Sequence, residues 1–148
     1  MTRTTDRTVH ILLVEDNPGD AELVLDAFAT SSPGTRVSVA RDGLAALRHL
    51  HDARTDDLPD LVLLDLHLPK KSGLEVLVEI KSSPRLRSIP VLVLSSSKLD
   101  TDIAGAYAGH ANSYLPKPVG LEKLAALVRS VEDYWLQQVR LPPRGAEA

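Results

Sequence analysis

Short, unbroken aliphatic runs recur along the chain, separated by intervals long enough for a helix. Ile11-Leu12-Leu13-Val14, Leu61-Val62-Leu63-Leu64 and Val91-Leu92-Val93-Leu94 do not alternate with polar residues, the pattern of strands covered on both faces of a parallel sheet. Arg36-Val37-Ser38-Val39 alternates and suits a less covered strand, and Ser113-Tyr114-Leu115 is a short further candidate stopped by Pro116. Between the runs, apolar residues return at helical spacing. Leu23, Val24, Ala27 and Phe28 mark a helix over 20–30, and Leu44, Leu47 and Leu50 are expected to face inward behind an Asp42 cap. Leu74, Leu77 and Ile80 follow a Ser72 cap, a weaker helix starts at Asp100, and Leu124, Leu127, Val128, Val131 and Trp135 stripe a last helix over 121–138. This alternation predicts an α/β fold, a doubly wound parallel sheet of five strands with helices on both faces. Ligands of such sheets sit beyond the carboxyl ends of the strands where the strand order reverses.

The residues that follow the runs are chemically loaded. Glu15-Asp16 follows the first and Asp65 follows the third strand candidate. Carboxylates gathered at one edge repel one another, and a hard divalent cation with oxygen ligands, Mg2+ foremost, relieves that repulsion. Singly, each is as compatible with a solvated acidic turn; the joint placement points to a site. Ser95 directly follows Leu94, where its hydroxyl can serve a phosphoryl oxygen or merely cap the Ser95-Ser96-Ser97 turn. Lys117, held between Pro116 and Pro118, can present its ammonium to added negative charge, or be an ordinary surface turn.

A length of 148 residues predicts one domain, read as a flexible arm over 1–8, a domain over 9–138 with an extended terminal helix, and a tail over 139–148. The net charge of -3 argues against broad phosphate-backbone binding, so no direct nucleic-acid contact is expected. The lack of Cys removes disulfides, thiolate metal sites and Cys nucleophiles. No apolar run approaches the roughly 18 residues of a membrane span and no secretory stretch follows Met1, so the expected setting is cytoplasmic, without membrane contact. Tyr134, Trp135 and Leu136 add more apolar surface than one packing face needs, which favours a homodimer or partner-docking interface there.

Taken together, Glu15-Asp16, Asp65, Ser95, Tyr114 and Lys117-Pro118 resemble the signature of bacterial response-regulator receiver domains over about residues 9–131. The resemblance implies a flavodoxin-like (βα)5 sheet of strand order 2-1-3-4-5. It implies that Asp65 is the phospho-acceptor and that Mg2+ is held by Asp16, Asp65 and the backbone carbonyl of His67, with Glu15 acting through water. Lys117 would bind the phosphoryl group, Ser95 would supply the hydroxyl, Ser95 and Tyr114 would form the conformational switch, and the Lys117–Pro118 peptide would be cis. Within the family, Asn17-Pro18-Gly19-Asp20, Leu68-Pro69-Lys70-Lys71-Ser72-Gly73, Tyr114-Leu115-Pro116-Lys117-Pro118-Val119 and Asp133-Tyr134-Trp135-Leu136 resemble the stand-alone regulators associated with bacterial phytochrome kinases. Ser72 departs from the Asp expected in that turn, and Ser95 replaces the commoner Thr. The implied function is to accept a phosphoryl group from the phosphohistidine of a sensor histidine kinase, a bacteriophytochrome among the candidates, and to signal through an altered interaction surface. The alternatives are a phosphorylation-independent adaptor of the same fold or a phosphorelay intermediate. An enzyme acting on a separate substrate is not expected: an aspartyl phosphatase would commonly need a second acid two residues after Asp65, where His67 stands.

Overall fold

The computed structural model describes residues 8–145, so most of the expected arm, residues 1–7, lies outside the described residues. Strands β1 (His10–Val14), β2 (Arg36–Ala40), β3 (Leu61–Leu64), β4 (Val91–Ser95) and β5 (Ser113–Pro116) alternate with helices α1 (Pro18–Ser31), α2 (Gly43–Asp52), α3 (Gly73–Ser82), α4 (Asp100–Ala108) and α5 (Leu121–Val131). All pairings are parallel, and the sheet order is β2-β1-β3-β4-β5. The order reverses between β1 and β3, which places their carboxyl ends side by side at the switch point.

Unbroken aliphatic runs serve two cores because successive strand residues point to opposite faces. Leu12, Val14, Val62, Leu64, Val91 and Val93 pack on one face with α2 and α3. Ile11, Leu13, Leu61, Leu63 and Leu92 pack on the other with α1 and α5. Local chemistry sets the helix starts. The Asn17 side chain accepts from Asp20 N–H ahead of Pro18, the Asp42 carboxylate accepts from Ala45 N–H, and Ser72 and Glu75 form a reciprocal capping box.

Two helices differ in phase from the leucine spacing. In α2 the buried stripe is Gly43, Ala46, Leu47 and Leu50, and Leu44 is 44% exposed. The stripe starts on Gly43, where an added Cβ would lie 2.1 Å from the Lys71 carbonyl oxygen, and i, i+3, i+4, i+7 counted from there excludes Leu44. In α3 the same register starts at Gly73 and buries Val76 with Leu77 and Ile80, leaving Leu74 half-buried.

The last helix ends at Gln138 as expected, but from Glu132 it is π-helical, closed by Val139 N–H donating to the Tyr134 carbonyl at 2.9 Å. The wider turn puts Glu132 into the interior, where it accepts from the Ser32 hydroxyl at the end of α1. It also packs Trp135 and Leu136 partly against the α1/α5 core, while Tyr134 remains exposed. The described part of the tail is docked: Leu141 is buried, and Arg144 donates to both Asp60 carboxylate oxygens, at 3.0 and 2.7 Å, and to the Asp56 and Thr8 carbonyls. The Asp60 side chain is 0% exposed, so Arg144→Ala would strip a buried carboxylate of its bidentate cation. The expected loss is about 3 kcal/mol of unfolding free energy, with part recovered in D60N/R144A because the buried charge is then gone. Denaturant unfolding of the three proteins checks this; an R144A loss below about 0.5 kcal/mol, the scale of ordinary surface substitutions, would contradict it.

Candidate functional site

The carboxyl ends of β1, β3, β4 and β5 meet at one edge. Backbone bonds carry the sheet register just past the strands: Asp65 N–H donates to the Val14 carbonyl at 3.0 Å, Glu15 N–H to Ala40 at 3.0 Å, and Lys117 N–H to Ser95 at 2.8 Å. Gly73 closes the turn after Asp65 because only a residue without Cβ fits there; an added Cβ would lie 2.2 Å from the Asp65 carbonyl oxygen.

Lys117 Nζ sits among three carboxylates, 2.5 Å from Glu15 Oε1, 3.2 Å from Asp65 Oδ2 and 3.2 Å from Asp20 Oδ2. Asp16, more exposed, completes an acidic group in which ligand oxygens from Glu15, Asp16 and Asp65 all lie within 4.8 Å of one another. Burial, together with contact to the Asp65 carboxyl, raises the Glu15 pKa to about 7 despite the opposing pull of Lys117. Burial disfavours the Lys117 ammonium, yet the hydrogen bond to Glu15 and the charge of Asp65 outweigh it and hold the proton above its ordinary range. The folded protein therefore binds an extra proton on Glu15 between the ordinary value of 4.5 and about 7, and the stability due to this group falls as pH rises through that window. Converging carboxylate oxygens of this kind at one edge have the chemistry of a divalent-cation site.

The flanking residues are tied into the same edge. His67 N–H donates to Asp65 Oδ1 at 3.2 Å. Ser95 is fully buried, and its Oγ accepts from Ser97 N–H at 3.1 Å. Tyr114 is half-buried against the α2/α3 core and donates its hydroxyl to the Ser97 carbonyl at 2.8 Å. The expected cis bond between Lys117 and Pro118 is corrected: there is no cis peptide among the described residues. A trans X–Pro bond is the lower-energy form by about 0.5–1 kcal/mol, and with it trans the ammonium already reaches all three carboxylates.

Asp20 is the site residue that the strand-end reading passes over. It stands on the first turn of α1 rather than after an aliphatic run, and its signal is indirect: the Asn17 cap and Pro18 start the helix so that the third residue turns back over the sheet edge. Tyr134, Trp135 and Leu136 belong to the C-terminal π-helical segment and take no part in this cluster.

Five parallel strands in the order 2-1-3-4-5, with an acidic edge facing a lysine just past the last strand, define a receiver fold. The model of the response regulator receiver domain matches residues 11–129, and the chain belongs to that family. It is 48% identical over 134 residues to the probable methanogenesis regulatory protein FilR2 of Methanothrix harundinacea, covering 89% of this chain and 86% of that protein. It is 44% identical over 135 residues to the response regulator Rcp1 of Synechocystis sp., covering 89% and 92% of the two chains. The crystal structure of Mn(2+)-bound Rcp1 matches with a TM-score of 0.83 at 43% identity over 90% of this chain and 99% of that one. The phosphorylated cyanobacterial phytochrome response regulator RcpA matches with a TM-score of 0.87 at 43% identity over 92% and 99%. Receiver domains bind a divalent metal in such an acidic site. No helix among the described residues is long and apolar enough to cross a membrane.

Proposed function

We propose that the protein is a two-component response regulator that takes a phosphoryl group from a histidine kinase phosphohistidine onto Asp65, with Mg2+ bound by Asp16, Asp65 and the His67 carbonyl and with Glu15 in support through water. The observation that carries this reading is the Asp65 carboxylate, 3.2 Å from Lys117 Nζ and within 4.8 Å of the Glu15 and Asp16 oxygens. An Asp65 oxygen attacks phosphorus, the new O–P bond replaces the N–P bond, and the imidazole nitrogen keeps the released electron pair. Lys117 neutralises charge on the transferred oxygens, and the Ser95 hydroxyl donates to one of them. When bound, Mg2+ supplies charge neutralisation and orientation of those oxygens. The product adds close to two negative charges at the edge. Ser95 and Tyr114 respond as the switch, and hydrolysis of the acyl phosphate is slow and self-catalysed. Incubation of the full chain with acetyl phosphate and Mg2+ should give a hydroxylamine-labile label that chelation prevents; a label that forms equally in chelator would count against the reading.

Because the metal-free site holds a proton on Glu15 up to about pH 7, cation binding has to displace it. Apparent Mg2+ affinity should rise about tenfold per pH unit up to that value and level off above it, with about one proton released per ion on the rising limb. Calorimetry in buffers of different ionisation enthalpy checks this; an affinity that does not change between about pH 5.5 and 7 would contradict it.

The phytochrome relatives support a bacteriophytochrome-type kinase as the donor, and the setting is cytoplasmic without direct nucleic-acid contact. The exposed Tyr134, with the uncovered parts of Trp135 and Leu136, is proposed as a homodimer surface; Tyr134 is 55% exposed and stacks edge-on with Trp135 at 5.6 Å. Light scattering should give twice the chain mass for the native protein and the monomer mass for Tyr134→Glu. Equal masses would remove this surface from the account.

A further inference from the structure

Lys117 Nζ meets three carboxylates, and two of them, Glu15 and Asp65, belong to the acidic group whose oxygens lie within 4.8 Å of one another. The third, Asp20, lies outside that group, 3.2 Å from the ammonium. It comes from α1 instead of a strand end, and its N–H donates to the Asn17 side chain at 3.0 Å, which fixes it in the first turn of the helix. Its side chain is also the open one of the three, 32% exposed against 3% for Glu15 and 11% for Asp65. Asp20 and Asp65 each hold an oxygen 3.2 Å from the same Nζ, so these two oxygens are separated by at most twice that distance. An anion placed on Asp65 therefore has Asp20 as a near neighbour. Burial disfavours the Lys117 ammonium, and Glu15 with Asp65 keeps it charged, so Asp20 is not required for that.

We propose that Asp20 is a charge filter on the phosphodonor: from the more open side of Lys117 it opposes the entry of anionic phosphoryl groups, most strongly from small, highly charged donors free in solution. This rests on Asp65 being the phospho-acceptor. A small donor brings its charge to the edge with few contacts to hold it there, and Asp20 both repels that charge and competes with it for the ammonium. Two like charges about 6 Å apart under water-like screening repel by an amount worth about threefold per unit of charge in a rate or equilibrium constant. A phosphohistidine donor arrives with a protein–protein interface, whose contacts outweigh a repulsion of that size. Asp20 thus slows labelling by small phosphodonors without preventing it, and favours phosphoryl entry from a docked partner. The plainer role of an acidic residue here, steadying the first turn of α1, gives no discrimination between donors.

The test is the initial labelling rate of the full chain, in saturating Mg2+ near neutral pH, with two donors of different charge: acetyl phosphate, a dianion, and phosphoramidate, a less negative zwitterion. In both an Asp65 oxygen forms the new O–P bond; acetate leaves with the electron pair of the broken O–P bond in the first, and ammonia with that of the broken N–P bond in the second. D20N and D20S are each expected to label about tenfold faster than wild type with acetyl phosphate and about threefold faster with phosphoramidate, and to bind beryllofluoride about threefold more tightly. D20E, which keeps the charge, should behave as wild type, and the gains should shrink in about 1 M salt, where screening acts within about 3 Å. An equal gain with both donors, a gain shared by D20E, or unchanged or slower labelling in the neutral variants would overturn the proposal. A lowered melting temperature with the donor ratio unmoved would leave Asp20 a helix-stabilising residue alone. If D20N does not fold, D20S decides by the same criteria. Wild type that takes no label from either donor, or label that survives in D65N, would instead overturn the phospho-acceptor reading and the filter with it.

Discussion

Replacing Lys117 by Met is expected to lower the stability of the metal-free protein by about 3 kcal/mol at pH 8, a fall in Tm of about 10 °C for a chain of this size. The ammonium is 11% exposed and is the cation shared by Glu15, Asp20 and Asp65. Without it, nearly buried carboxylates face one another uncompensated. The cost should shrink towards pH 5, because Glu15 takes up a proton readily in this setting, its pKa standing at about 7 even with the lysine present. Millimolar Mg2+ should restore more stability to K117M than it adds to wild type, since the ion supplies charge that the variant lacks. Melting curves at the two pH values, with and without Mg2+, check all three statements. A loss equal at both pH values would mean that Lys117 acts through its packed stem rather than its charge.

Asp65→Asn should have the opposite profile. Phosphoryl uptake should vanish, because the amide offers no carboxylate nucleophile, while the metal-free fold should gain about 1 kcal/mol at pH 8 as Glu15 loses an anionic neighbour. Calorimetric unfolding and labelling of the same preparation read both effects. A variant that loses function while gaining stability marks a residue kept for chemistry against the preference of the fold. Loss of labelling accompanied by a large loss of stability would point to unfolding instead.

The acidic edge was legible because its strand-borne residues stand at or within two positions of the carboxyl end of a strand candidate, and strand direction places all such residues on one side. Asp65, Glu15, Asp16, Ser95 and Lys117 fall into this class, and the sheet order agrees with what the family resemblance implied. What stayed hidden depends on helix phase or on distant partners. Asp20 reaches the site from a helix turn, and Leu44 is turned outward because a glycine, invisible to a hydrophobic count, starts the buried stripe. The π-helical segment at Glu132 reflects a tertiary position and not a local preference. Arg144 meets Asp60 across 84 residues of chain, a pairing that no periodicity announces. The trans bond before Pro118 likewise departs from what the motif implied.

The acidic edge and the docked tail lie at opposite ends of the sheet, past Val14 and Leu64 in one case and before His10 and Leu61 in the other. Stability and chemistry are thereby separated: Arg144 and Asp60 can fasten the amino ends of β1 and β3 without touching the residues that take up charge. The most direct measurement of the central claim is to phosphorylate the full chain with acetyl phosphate and Mg2+, reduce it with borohydride and map the peptides by mass spectrometry. Reduction of an aspartyl phosphate leaves homoserine, and the account predicts homoserine at position 65 alone. Homoserine at another aspartate, or none in a protein shown to bind Mg2+, would contradict it.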